Sequence, residues 1–145
     1  MIIESILAGK GRDVRVIRPE ATVAEAIQRM RSERIGALIV SEDGSRIAGI
    51  VSDRGILWAI ADHGVAVMQE RVDRIMTKEV FTCAVQDRVS AIMVAMTNHR
   101  IRHIPVVEED GRLCGIVSIG DVVKQRLDEI QREADAMRDY ISGMA

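Results

Sequence analysis

Residues 23–60, moved along by 66 positions, fall on residues 89–126 with eleven identities in 38 pairs. Val23 meets Val89, Met30 meets Met96, Arg34-Ile35 meets Arg100-Ile101, and Val40 meets Val106. Glu42 meets Glu108, Arg46 meets Arg112, and Gly49-Ile50-Val51-Ser52 meets Gly115-Ile116-Val117-Ser118. A duplication at this period is longer than a solenoid unit, so it predicts two small lobes of one design. Each lobe must then find cover for its sheet.

Both copies follow one order. A short β-branched run, Val14 to Ile17 or Val80 to Thr82, leads to an amphipathic helix, Thr22 to Ser32 or Asp87 to Asn98. In the first copy Val23, Ala26, Ile27 and Met30 share a helical face, and Thr22 with Glu25 has the spacing of a capping box. Two strands follow, Ala37 to Val40 and Ile47 to Val51, joined by Glu42-Asp43-Gly44. A second helix starts near Arg54, with Asp53 expected to cap it. The second copy repeats this with Ile104 to Val107, the turn Glu109-Asp110-Gly111, and Leu113 to Val117. The expected class is α/β (α+β): two β-α-β-β-α repeats packed as one pseudo-two-fold module with a C-terminal helix. The repeats are placed at 5–62 and 72–126 and the tail at 127–145.

The net charge of −2 and the presence of only three aromatic residues, Trp58, Phe81 and Tyr140, disfavour nucleic-acid binding. No apolar run approaches 18 residues and no basic leader precedes Glu4, so neither membrane spanning nor export is expected, and the cytoplasm is the expected location. Cys83 and Cys114 lie far apart, in no metal-ligand or redox spacing, and are expected to be reduced core thiols. No metal site is expected. Gly9-Lys10-Gly11-Arg12 lacks the glycine spacing and Lys-Ser/Thr ending of a P-loop. His63, His99 and His103 stand in no catalytic context, and the chain is not expected to be an enzyme.

The segment Gly115-Ile116-Val117-Ser118-Ile119-Gly120-Asp121 reads as a buried strand running into a helix. Its serine and aspartate can cap exposed N–H groups, a contribution of about 1 kcal/mol. The same geometry also suits a ligand, because free N–H groups at a helix start accommodate a phosphate and a carboxylate can accept both hydroxyls of a ribose. Gly120 lets a ligand approach the backbone. In the first copy, Ser52 is followed three residues on by Gly55, so the two junctions are not equivalent.

The paired patterns RIGALIV…IAGIVSDRGI and RIRHIPVV…LCGIVSIGDVV resemble a tandem pair of cystathionine-β-synthase (CBS) domains, a family of adenosine-binding regulatory modules, over roughly residues 5 to 126. The opening and the tail are similar to those of small stand-alone bacterial CBS-pair proteins. The resemblance implies that Ser118, Gly120 and Asp121 hold the phosphate side and the ribose. It places Arg102 and His103 at the phosphate, and forms the adenine wall from Lys10, Val14, Arg15, Ile35, Gly36, Ala37 and Ile116. The implied ligand is AMP or NAD(H), with ATP and S-adenosylmethionine sharing the adenosine group, and a ligand-free interaction module is the alternative. It also implies a homodimer. Val123, Leu127, Ile130, Ala134, Met137 and Ile141 recur at alternating spacings of four and three, so the tail is expected to dock on its own body or on a second subunit.

Overall fold

The computed structural model describes residues 1–143; the last two residues of the expected tail lie outside the described residues. The first copy comprises β1 (Val16–Ile17), α2 (Val23–Glu33), β2 (Ala37–Val40), β3 (Gly49–Ser52) and α3 (Asp53–His63), preceded by α1 (Ile3–Lys10). β2 lies centrally, parallel to β1 and antiparallel to β3. The predicted capping box is present: Thr22 Oγ1 accepts from Glu25 N–H at 3.1 Å, and the Glu25 carboxylate accepts from Thr22 N–H at 3.0 Å. These bonds satisfy two of the donors that a helix start leaves orphaned. Val23, Ala26 and Met30 are buried on the inner face of α2 and Ile27 is partly so.

A short 3₁₀ turn (Val65–Gln69) and α4 (Val72–Ile75) lead to the second copy: α5 (Val89–His99), β4 (His103–Val107), β5 (Leu113–Ser118) and α6 (Ile119–Gly143). The pairings of the two copies superpose at the sequence offset, with Ala37 opposite Ser52 and His103 opposite Ser118. Both α2 and α5 end on an arginine in the left-handed region, Arg34 (φ 56°) and Arg100 (φ 52°).

The strand expected over Val80 to Thr82 does not form. In the first copy Ile39 N–H donates to the Arg15 carbonyl at 3.0 Å, which ties β1 to β2. Its counterpart in the second copy is Pro105, which has no N–H to give. Only the next rung survives, a single parallel bridge between Cys83 and Val106 flanked by Cys83 N–H to Pro105 O and Val107 N–H to Cys83 O.

Two apolar clusters form the interior, one per copy, and the short helices cross between them. Ile3, Ile6 and Leu7 of α1 lie in the second copy's core with Ile92, Met96 and Ile104, whereas Val72 of α4 lies in the first copy's core with Val23 and Leu38. Sequence reasoning missed α1, although Ile3, Ile6 and Leu7 have helical spacing. Leu7 of α1 and Met76, just past α4, each lie over a glycine. A Cβ on Gly115 would stand 2.9 Å from both Leu7 methyl carbons, and one on Gly49 would stand 2.6 Å from Met76 Sδ. These contacts explain why both strands spend a glycine, which has no side chain to pack, inside a sheet.

α6 runs unbroken for 25 residues, straight through the 126/127 boundary drawn from sequence. Val122 is its one buried residue among those described. From Leu127 onward the seam residues are exposed except for a partial covering near Ile130, so docking of the tail on its own body is not what the fold adopts.

Candidate functional site

β5 ends at Ser118 and α6 begins at the next residue. Asp121 N–H donates to Ser118 Oγ at 3.2 Å and Ser118 N–H donates to Asp121 Oδ2 at 2.8 Å, so the two side chains form a reciprocal cap. A third partner arrives from 111 residues away: Lys10, the last residue of α1, donates to Asp121 Oδ2 at 2.6 Å and to the Ile116 carbonyl at 3.0 Å. Burial works to raise the Asp121 pKa, but the hydrogen bonds from Lys10 and Ser118 outweigh it and hold the carboxyl below its ordinary value. Asp121 is therefore an ionised acceptor at neutral pH. Gly120 sits between the two caps, where an added Cβ would meet nothing nearer than Ser118 Oγ at 3.6 Å. The protein's own packing does not require a glycine there.

The junction of the first copy faces that of the second. Asp53 N–H donates to the Gly36 carbonyl at 3.0 Å, and the equivalent bond in the second copy runs from Ile119 N–H to the Arg102 carbonyl at 2.8 Å. The backbone role is thus the same, but Arg102 adds a guanidinium that reaches across the pseudo-two-fold to Asp53 Oδ1 at 2.7 Å. A Cβ on Gly36 would lie 3.3 Å from both Asp53 Oδ2 and His103 Cε1, so this glycine admits the charged cluster. His103 is held below its ordinary pKa, first by burial and then by Arg102, against the opposing pull of Asp53 and Asp121. It is neutral at pH 7 with carboxylates and cations around it.

Asp53 does not cap α3. Ser52 is the cap, its Oγ accepting from Gly55 N–H at 3.0 Å, while Asp53 begins the helix and is free to take Arg102. Among the remaining candidate residues, Arg15 is tied to Glu33 at 2.9 Å, Val14 is half-buried just before β1, Ile35 packs on the first core, and Ala37 is buried. Lys10, Ile116, Ser118, Gly120 and Asp121 therefore converge, and Gly36, Arg102 and His103 meet beside them. No contact brings Val14 or Arg15 to this group among the described residues.

A cavity of about 410 Å³ lies on the other side of Arg102 and His103, lined also by Ile50, Ser52, Arg54 and Phe81. Moved along by the repeat offset, its lining becomes the expected site: Ile50 answers to Ile116, Ser52 to Ser118 and Phe81 to Arg15. Gly55 stands where Asp121 would be. Sequence reasoning gave Asp53 only a capping role and assigned no site role to Arg54 or Phe81; applying the offset to Gly120 and Arg15 would have found the last two. Arg102 and His103 thus border this cavity on one side, and His103 feels the charges of Asp121 and Lys10 on the other.

The cysteines are both free thiols. Burial pushes the Cys83 thiol up to about 12, so it is an inert core group, whereas Cys114 is only half-buried. No cluster of three or more metal-ligating side chains occurs among the described residues. Nor is any helix among them long and apolar enough to cross a membrane.

The tandem fold is matched in known proteins. The CBS domain family model matches residues 10–62 and again 72–128. A CBS-domain containing protein from Agrobacterium tumefaciens has a crystal structure 40% identical in sequence, with a TM-score of 0.83, covering 87% of this chain and 99% of that one. The mitochondrial CBS domain-containing protein CBSX3 of Arabidopsis thaliana is 37% identical over 126 residues, 84% of this chain and 61% of that protein. The CBS domain pair of protein MJ0100 shares the fold at a TM-score of 0.77 and 21% identity, over 89% of this chain and 98% of that one. With both repeats matched in tandem and the pairing register preserved between them, the chain belongs to the CBS domain family.

Proposed function

We propose that this CBS pair is a regulatory sensor of an adenine nucleotide, AMP or NAD(H), which acts by favouring one of two packings of a homodimer. Asp121 carries the reading: an ionised carboxylate, next to a glycine that internal packing does not need, stands at the mouth of a strand-to-helix junction. It takes the ribose hydroxyls, and Ser118 with the start of α6 takes the phosphate side. Arg102 and His103 contribute positive charge to the phosphate. Lys10, Val14, Arg15, Ile35, Gly36, Ala37 and Ile116 enclose the base. The structure of the MJ0100 pair holds 5′-methylthioadenosine and S-adenosyl-L-methionine, both adenosine compounds, which supports the ligand class. The arginines at this site favour phosphorylated ligands over the sulfonium cation.

The cavity beside Ser52 favours an extension of this reading. A dinucleotide with its adenosine at Asp121 and its diphosphate at Arg102 and His103 reaches the Ser52 cleft with its other half, whereas AMP fills one cleft. A ligand signals only through differential affinity for two arrangements, so the dimer must have two.

A thermal-shift panel of AMP, ADP, ATP, NAD+, NADH and S-adenosylmethionine on nucleotide-free protein tests the proposal. Ligand at 100 times Kd stabilises by about 2.7 kcal/mol, a rise of roughly 5 to 10 °C in Tm for a chain of this size. Arg102→Ala is expected to weaken AMP more than adenosine. If none of the panel shifts the wild type at millimolar concentration, the ligand-free interaction module replaces the sensor.

A further inference from the structure

We propose that the α6 tails of two copies pair in parallel and in register as a short two-stranded coiled coil. Val123, Leu127, Ile130, Ala134, Met137 and Ile141 occupy alternating d and a positions of a heptad. Much of their apolar surface is left uncovered by the described residues, with Leu127, Met137 and Ile141 at 60%, 59% and 62% exposure. An uninterrupted helix carrying such a stripe needs a partner with the same period, and a second copy has it.

The flanking charges select the orientation. In a parallel pair each g residue faces the e residue five positions on in its partner, which sets Glu133 against Arg138 twice by symmetry and Arg126 against the neutral Gln131. In the fully overlapped antiparallel pair, where Leu127 of one helix shares a layer with Met137 of the other, g faces g and e faces e. Glu133 then meets Glu133, and Lys124 meets Arg138 twice. The parallel arrangement has attractive contacts and no repulsive one, and the antiparallel arrangement has the reverse. Arg126 is already held by Glu129 of its own helix at 3.1 Å, while Arg138 has a looser 3.6 Å contact with Asp135. A two-fold axis running along the tails follows. The seam is under three heptads, too short to associate alone, so it works as an extension of a contact between the bodies.

The test uses the full chain with Met137→Cys in a Cys114→Ser background, Cys83 being buried. Parallel pairing predicts that mild oxidation joins the two introduced thiols, one from each copy, in a disulfide-linked dimer that reducing agent reverses. Antiparallel tails would hold these thiols about 15 Å apart along the helix axis, at 1.5 Å per residue, and would cross-link Leu127→Cys with Met137→Cys in mixed samples instead. Glu133→Arg is expected to raise the dimer dissociation constant on the order of 10-fold, and adding Arg138→Glu to restore it. A monomer in analytical ultracentrifugation, the mixed cross-link alone, no cross-link at all, or a charge reversal without effect would each overturn the proposal.

Discussion

Replacing Asp121 with alanine removes three things at once, and their magnitudes differ enough to be separated. The Ser118 N–H loses its acceptor, a cap's worth of about 1 kcal/mol. The pair with Lys10 is lost too, but both side chains remain partly open to water, at 33% and 22% exposure, so its share is about 0.5 kcal/mol. The unliganded variant should therefore melt roughly 4 to 7 °C below wild type. The third loss shows only with ligand. A ribose deprived of a charged acceptor for its hydroxyls forfeits about 1.5–3 kcal/mol, a 10- to 150-fold weaker Kd. At a concentration that gives the wild type about 2.7 kcal/mol of stabilisation, the variant should gain about 1.4 kcal/mol at the weak end of that range and about 0.3 kcal/mol at the strong end. Asp121→Asn keeps an acceptor for Ser118 but no charge, so it should recover most of the unliganded Tm and little of the ligand effect. Differential scanning calorimetry of the three proteins with and without AMP or NADH measures all of this. An alanine variant that melts lower yet responds to ligand as the wild type does would reduce Asp121 to a helix cap and refute the ribose assignment.

Leu7→Ala should destabilise the whole chain by about 2–5 kcal/mol, because Leu7 is 1% exposed and fills the hollow over Gly115; urea unfolding with an unaltered midpoint would show that α1 is not part of the core. Lys10→Met should change stability by less than about 1 kcal/mol. Since the ammonium must release Asp121 and the Ile116 carbonyl before a nucleoside takes them, while methionine keeps the apolar part of the wall that Lys10 gives the base, adenosine should bind this variant several-fold tighter by calorimetry, and weaker binding would show that the ammonium itself holds the ligand. His103 has a folded pKa below its unfolded value, so the unfolded chain takes up its proton first and stability should fall as pH drops from about 6.5 towards the folded pKa. A bound phosphate favours the imidazolium, so AMP affinity should rise as pH falls from 7.5 to 6.0 in the wild type more than in His103→Gln, with adenosine affinity flat; equal AMP profiles in the two proteins would remove His103 from the phosphate site.

What could be read from the sequence was whatever the chain states locally or states twice. Thr22 and Glu25 lie three residues apart, and the box they form needs nothing from elsewhere. The offset of the two copies fixed the strand pairing, because Ser52 and Ser118 must occupy the same register. Pro105 shows how one residue defeats that symmetry: its missing N–H erases a strand that Val80 to Thr82 would otherwise have formed. The site was legible only in part for a different reason. Ser118 and Asp121 announce themselves by spacing, but Lys10 arrives from 111 residues away and Arg102 meets Asp53 from 49. Contacts at that separation depend on how the copies close on each other, and nothing local in Gly-Lys-Gly or Ser-Asp-Arg says so. The cap was misassigned to Asp53 because both Ser52 and Asp53 are good cap formers, and it is the extended backbone at Ser52 that decides.

The exchange of short helices between the two cores sets an order on how this chain can be made. Ile3, Ile6 and Leu7 are translated about ninety residues before Ile92, where the surface they cover, Ile92 to Val117, begins. Until then those side chains have no native place to go, and the first copy can complete its own interior only once Val72 has followed. A fragment from residue 72 onward would carry a second core lacking its lid, so it is expected not to fold alone. Nascent chains stalled between the copies should present an unsatisfied apolar segment at Ile3 to Leu7, a natural substrate for chaperones. The same interlock predicts that the two copies melt together in a single calorimetric transition.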